Sequence, residues 1–287
     1  MNRQNMTLFG LMLSTILFCS SAWAKLTDTP PFYLVEYQGK TAYLLGSVHL
    51  GKPDFYPLPK KIEQAFNESN TLVVEALPDQ NTNNLILKSQ TASTLPKTKS
   101  AKYIQFCELH LLVCQAIEHL PMWMQAAQIT LYRLIHFGYH PDLGIDMHFI
   151  NRAKNKHKAQ LESMEYQLTL LNSIDKKTQR QMIDEAITTP NDELEDLFIA
   201  WRQGDSEKIS SVIKQSMNKN NNTDLLDKLV WKRNKPMSDG IIRLMKNTKA
   251  GTSIFVVIGA GHLEGDHSVN HYLKQAGAHV KSVWKKP

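Results

Sequence analysis

The chain has 287 residues, 42% of them hydrophobic and 21% charged, which is enough for a sizeable core in one large domain or two small ones. Its 33 basic and 27 acidic residues give a formal net charge of +6 with no basic run interleaved with aromatics, which speaks against nucleic acid as a partner.

The chain starts with MNRQNMTLFGLMLSTILFCSSAWA. Arg3, an apolar run from Leu8 to Phe18 and the small residues Ala22 and Ala24 together read as a secretory signal peptide cut after Ala24. A run of about eleven residues is too short to span a bilayer, which needs roughly 20. No stable membrane insertion is expected after cleavage, and the mature chain, 25–287, is expected to be periplasmic or secreted. Phe18 before Cys19 is too bulky for lipoprotein processing. Cys107 and Cys114 survive maturation, and an even pair in an oxidising compartment is a disulfide candidate. On one continuous helix their spacing would amount to about 10.5 Å, beyond the ~7 Å limit for a disulfide. A bond therefore requires a turn between them, and the sequence leaves both states open.

FYLVEYQ predicts a first strand that turns at Gly39-Lys40 into TAYLLG, forming a hairpin at the sheet edge. The stretch TAYLLGSVHL (41–50) is nearly repeated at SIFVVIGAGHL (253–263), each an apolar, β-branched run ending in Gly-x-x-His. Each reads as a strand delivering a histidine, His49 or His262, from its carboxyl end. Helical spacing follows in both copies, at LPKKIEQAFNES and GDHSVNHYLKQAG, and then a second strand, TLVVEA or HVKSVW. Strand, helix, strand is a βαβ crossover, which makes the strands parallel and collects ligands outside their carboxyl ends. Glu75 closes the strand TLVVEA and falls at such an end.

Between the copies the composition is helical. Segments Leu85 to Ser89, Ala101 to Leu112 and MWMQAAQITLYRLIHFG make up an insertion of about 80–150, with Met122, Trp123, Met124, Leu131, Tyr132 and Ile135 as core or groove lining. GIDMHFINRAKNK starts a helix with Asp146 in its first turn, where a carboxylate suits the dipole. KAQLES reads as a short strand with Glu162 at its end. A helical cap spans about 173–250, broken at Pro190, Gly204 and MNKNNNT, with Trp201, Leu225, Leu229 and Trp231 as buried candidates. WKRNKPMSDGIIRLM offers Arg233 and Asn234 before Pro236. The expected architecture is thus a single α/β domain over 25–287, its mainly parallel sheet built from two βαβ units with a helical middle and lid.

Two histidines and a carboxylate from three strand ends suit one divalent ion with open positions. Water on such an ion ionises near neutral pH, the chemistry of amide or ester hydrolysis. Other sites are missing: there is no Gly-x-Ser-x-Gly, no His-Glu-x-x-His, and Gly-Ala-Gly 259–261 is not followed by a third glycine at dinucleotide spacing. Ser47 as a nucleophile is disfavoured, and His267, His271 and His279 read as surface residues.

LLGSVHLG, VVEAL, GIDMHFINRAK, QLESMEYQL, WKRN and FVVIGAGHLEGDHSVNHYLKQAG resemble, in order, the TraB/GumN family, which includes the Tiki metalloproteases. The resemblance spans essentially the whole mature chain. It implies a metal-dependent hydrolase fold related to the erythromycin-esterase-like and ChaN-like proteins, with His49, Glu75 and His262 at the metal or catalytic centre. The Tiki proteins cleave peptide bonds with manganese or cobalt, so the implied cofactor is such an ion, with zinc or iron as further candidates, and the implied substrate is a peptide or small ester. Asp146, Glu162, Arg233 and Asn234 sit in further family motifs and are implied to support the site, with Arg233 or Asn234 binding the oxyanion or substrate. The alternative reading is a non-catalytic protein that holds haem, another tetrapyrrole or a peptide in the same cleft.

Overall fold

A computed structural model describes residues 28–78, 84, 86, 100–218 and 223–284. The expected signal peptide and, apart from Ile86, the expected helix at Leu85 to Ser89 lie outside them.

Strands β1 (Phe32–Tyr37) and β2 (Lys40–Ser47) form the expected hairpin. Its central residues are Gln38 and Gly39, both at positive φ (48° and 72°), the conformation that matches the twist of a two-residue hairpin. Then come α1 (Lys60–Glu68), β3 (Thr71–Val74), α2 (Ala101–Leu109), α3 (Leu111–Ile117), α4 (Met122–Ile135), α5 (Ile145–Arg152) and β4 (His157–Gln160). The cap follows as α6 (Met164–Asn172), α7 (Lys176–Thr188), α8 (Asn191–Gln203), α9 (Ser206–Asn218) and α10 (Thr223–Leu226). A π-helical turn (Asp227–Trp231) leads into α11 (Lys232–Asn247), and β5 (Ser253–Gly259), α12 (Ala260–Leu263), α13 (Val269–Gln275) and β6 (His279–Ser282) finish the described chain.

The sheet order is β4-β3-β5-β2-β1-β6. β5 lies between β2 and β3 and is parallel to both, and β4 is parallel to β3. The first strand-helix-strand copy thus straddles the last long strand of the chain. In the second copy β6 runs the same way as β5 but pairs antiparallel with β1. The hairpin is therefore not the sheet edge, as expected from local sequence, because the chain's last strand returns to cover it.

Strand side chains alternate between two cores, as the pleat requires. Leu44, Val73, Ile254 and Val256 face Met237, Ile241 and Leu273 on α11 and α13. Leu45, Leu72, Phe255 and Val257 face Ile62 and Phe66 of α1 and Ile145 and Phe149 of α5. With both faces covered, β3 and β5 read as continuous apolar runs. A third cluster joins α2, α3 and α4 to Ile183 and Ala186 of α7, and buried Met122 belongs to it. Buried Trp123 confirms the core reading of that stretch, whereas Ile135 is exposed.

Elements stop where local chemistry stops them. Ser163 and Asp175 cap α6 and α7 by accepting backbone N–H bonds, and Gly204 ends α8 in the left-handed conformation. His110, at φ −131° and ψ 49°, breaks α2 from α3. That turn brings the Cα atoms of Cys107 and Cys114 to 5.6 Å, and the disulfide is formed. Leu226 and Val230 are buried in place of the expected Leu225, Leu229 and Trp231, which are half-buried. The wider π turn rotates the face that a regular helix would have presented.

One helix ties the cap to the first Gly-x-x-His loop. Trp201 of α8 donates its indole N–H to the Gly46 carbonyl at 2.7 Å and stacks on Phe55, while Arg202 bonds Asp28 and Asp54 and Lys52 bonds Glu195. Trp201→Phe should keep the stacking but leave the buried Gly46 carbonyl unpaired, costing about 1–3 kcal/mol; a urea midpoint equal to that of the wild type would show that water replaces the bond.

Candidate functional site

The carboxyl ends of β2, β3, β4 and β5 and the start of α11 bring the candidate residues to one edge of the sheet. Glu75, directly after β3, is the hub. Its Oε1 accepts the Gly259 N–H at 2.6 Å and lies 3.7 Å from His262 Nε2. Any Cβ at Gly259 would press on that oxygen, which explains a glycine at the strand end. Oε2 accepts Arg233 Nη2 at 2.7 Å and Gln167 Nε2 at 3.3 Å. Glu162 is set beside it by the backbone, since its N–H donates to the Glu75 carbonyl at 2.8 Å. Arg233 bridges the two carboxylates, its Nε and Nη2 reaching Glu162 at 2.7–3.1 Å while Nη1 donates to the Leu229 carbonyl.

The second histidine is held by an amide. Asn234 Nδ2 donates to the His267 carbonyl at 2.8 Å, so its Oδ1 faces His262 Nδ1 at 2.6 Å and must accept from it. This fixes the tautomer with the proton on Nδ1 and leaves Nε2, on the Glu75 side, with its lone pair. Burial pushes His262 below its ordinary pKa against the pull of Glu75, so the ring is neutral.

The first histidine is held by a carboxylate. His49 Nδ1 donates to Asp146 Oδ2 at 2.8 Å, and Ser47 Oγ donates to Asp146 Oδ1 at 2.6 Å. Asp146 can stand there because α5 starts against the loop. Ile145 N–H donates to the Val48 carbonyl, and Gly144 packs so close to the His49 carbonyl that a Cβ would collide with it. The charge of Asp146 and its hydrogen bond raise the His49 pKa to about 9. The ring is 76% exposed, so water screens part of that attraction. Glu75 moves the other way. Burial pushes it up, but its coupling to His262, the charges of Arg233 and His49 and the Gly259 N–H outweigh burial and hold it below its ordinary value.

The six residues expected at the centre therefore divide. His262, Asn234, Glu75, Arg233 and Glu162 form one chain of contacts, whereas His49 belongs to a separate set with Asp146 and Ser47 and senses Glu75 and Arg233 through charge. Among the described residues no three His, Cys, Asp or Glu side chains are gathered closely enough to hold an ion as they stand. By donor chemistry the residues fit one: two imidazoles with Nδ1 engaged and Nε2 unclaimed by those bonds, and one carboxylate oxygen. Arg233 and Asn234, expected to meet the oxyanion or substrate, are committed to protein partners through every nitrogen and brace Glu75 and His262 instead. Ser47 is a donor to Asp146 and no nucleophile in this arrangement. Sequence reasoning missed Gln167; its only signal is its place five residues after Glu162 in a capped helix.

Because the folded His49 pKa lies above its ordinary 6.5, its ion pair supports the fold below pH 6.5 and the contribution is lost as pH rises through about 9. In the metal-free protein, Asp146→Asn should bring the ring's NMR titration midpoint down from about 9 toward 6.5. A midpoint that stays put would assign the shift to another group.

The profile of the TraB/PrgY/gumN family matches residues 31–282. The chain is 24% identical over 244 residues to the uncharacterized protein YbaP of Shigella flexneri, covering 81% of this chain and 88% of that protein. Against the uncharacterized protein YbaP of Escherichia coli (strain K12) it is 24% identical over 243 residues, covering 81% and 87%. No solved structure matches the chain significantly. A match reaching from the first described strand to the last includes both Gly-x-x-His ends and everything between them, and on that ground the chain belongs to the TraB/PrgY/gumN family.

Proposed function

We propose that this protein is an exported metal-dependent hydrolase of peptide or small ester bonds, with His49, Glu75 and His262 holding one divalent ion, manganese or cobalt by resemblance. The observation that carries the proposal is the donor set of a half-buried site. Two carboxylates, Glu75 and Glu162, share one guanidinium beside the Nε2 of His262, an arrangement of donors that suits a further cation. The tautomer of His262 supports the same reading, because a metal-binding imidazole donates its other N–H to a fixed acceptor. Asp146 does the same for His49.

When bound, a divalent ion would polarise a carbonyl and lower the pKa of water. The chain's own residues prepare for it. Arg233 and Glu162 hold the Glu75 carboxylate ionised and oriented, so that a cation meets charge already in place. Asn234 keeps the His262 proton on Nδ1, away from the working face. His49 must give up its Nε2 proton to act as a ligand, which couples its binding of the ion to pH. Gathering the three ligands around one ion requires the His49 side chain, 76% exposed, to move toward Glu75 and His262.

The test is elemental analysis of chain 25–287, purified without a His tag, beside His49→Ala and His262→Ala. About one equivalent of manganese, iron, cobalt or zinc, lost in both variants, is expected. No metal after reconstitution would overturn the proposal. Export is tested by the intact mass of the protein recovered outside the cytoplasm, which should start at Lys25.

A further inference from the structure

Gln167 lies on the first turns of α6, where Ser163 caps the helix and the side chain is half-buried. A glutamine on a helix face has water as its easy partner. This one instead directs its Nε2 between two carboxylates, to Glu75 Oε2 at 3.3 Å and Glu162 Oε2 at 3.1 Å. The same two oxygens receive Arg233 Nη2, each at 2.7 Å. Two donors from two different helices thus converge on one pair of oxygens. An amide NH2 has two hydrogens, and here each has an acceptor.

The two ends of the Glu75 carboxylate are consequently unequal. Oε2 is taken by Arg233 and Gln167, while Oε1 has the Gly259 N–H and faces His262 Nε2. Rotation about the last side-chain torsion away from this setting would take both oxygens off these partners. Arg233 opposes that rotation with one Nη2 bond at 2.7 Å, a nitrogen it shares with Glu162. Gln167 adds a neutral donor on the same side, which strengthens the hold without cancelling the negative charge that a cation needs.

We propose that Gln167 is a positioning residue that, together with Arg233, reserves Oε2 of Glu75 for the protein and leaves Oε1 as the single oxygen offered to an ion. The proposal rests on the metal-centre reading of the site. It assigns a task to a residue that touches neither histidine, and it predicts one-oxygen ligation by Glu75.

The test uses chain 25–287 and two variants, Gln167→Ala, which removes the donor, and Gln167→Glu, which replaces it with a repelling carboxylate of the same shape. One readout needs no metal. The Gly259 amide proton, held downfield by its short bond to Oε1, should move upfield in both variants, while the amides of α13 stay in place and report an intact fold. The other readout is Co2+ affinity by calorimetry, which should weaken about 10- to 100-fold, as for loss of a residue supporting a ligand. A Gly259 amide or a Co2+ affinity equal to that of the wild type in both variants overturns the assignment. If the wild-type chain itself takes up no Co2+ while the Gly259 amide still moves in the variants, Gln167 keeps its hold on Glu75 and the metal-centre reading is what fails.

Discussion

The site depends on one guanidinium between two carboxylates. Glu75 and Glu162 are brought together by the backbone, through the register of β3 and β4 and the bond from the Glu162 N–H to the Glu75 carbonyl. Two carboxylates at that separation, largely withdrawn from water, would repel each other and one would take up a proton. Arg233 prevents this, and because it comes from the start of α11 it joins the helix layer to the strand ends. A buried ion network of this kind does little for stability in itself, since desolvation offsets attraction, but removing one member leaves an uncompensated charge. The carboxyl ends of β3 and β4 are thus joined through a single guanidinium.

The two Gly-x-x-His copies have been given opposite environments. His49 stands in water against a carboxylate and is drawn to the charged form. His262 is 6% exposed, faces an amide oxygen and is held neutral by burial. The same local motif therefore offers one charged, doubly protonated imidazole and one neutral, singly protonated imidazole at neutral pH, and the difference lies in the orienting partner and the exposure rather than in the motif. Both rings share the constraint that Nδ1 is engaged, so whatever chemistry they perform goes through Nε2.

The helical middle serves the site from outside. α8 fixes the loop that follows β2 by stacking, by a buried indole bond and by ion pairs, and it is itself stopped by Gly204. Farther away, α2, α3, α4 and α7 make their own core around the Cys107–Cys114 bond. That cluster shares no residue with the two cores that flank the sheet.

Some of this was written in the chain itself. Apolar runs ending in Gly-x-x-His, followed by a helical period and another apolar run, determined the parallel strands and the placing of His49, Glu75 and His262 at their ends, because side-chain period and crossover geometry are local properties. The breaks at Pro190 and Gly204 were legible for the same reason. What local pattern could not hold was who faces whom. The return of β6 onto β1, the rotation at the π turn, the commitment of Arg233 and Asn234 to protein partners, the separation of His49 from Glu75 and His262 and the arrival of Gln167 all depend on contacts between residues far apart in sequence. Hydrogen-bond direction and burial exist only once those distant segments meet, and for that reason the tertiary structure alone decided which nitrogen of each histidine is engaged and which partners each oxygen of Glu75 accepts from.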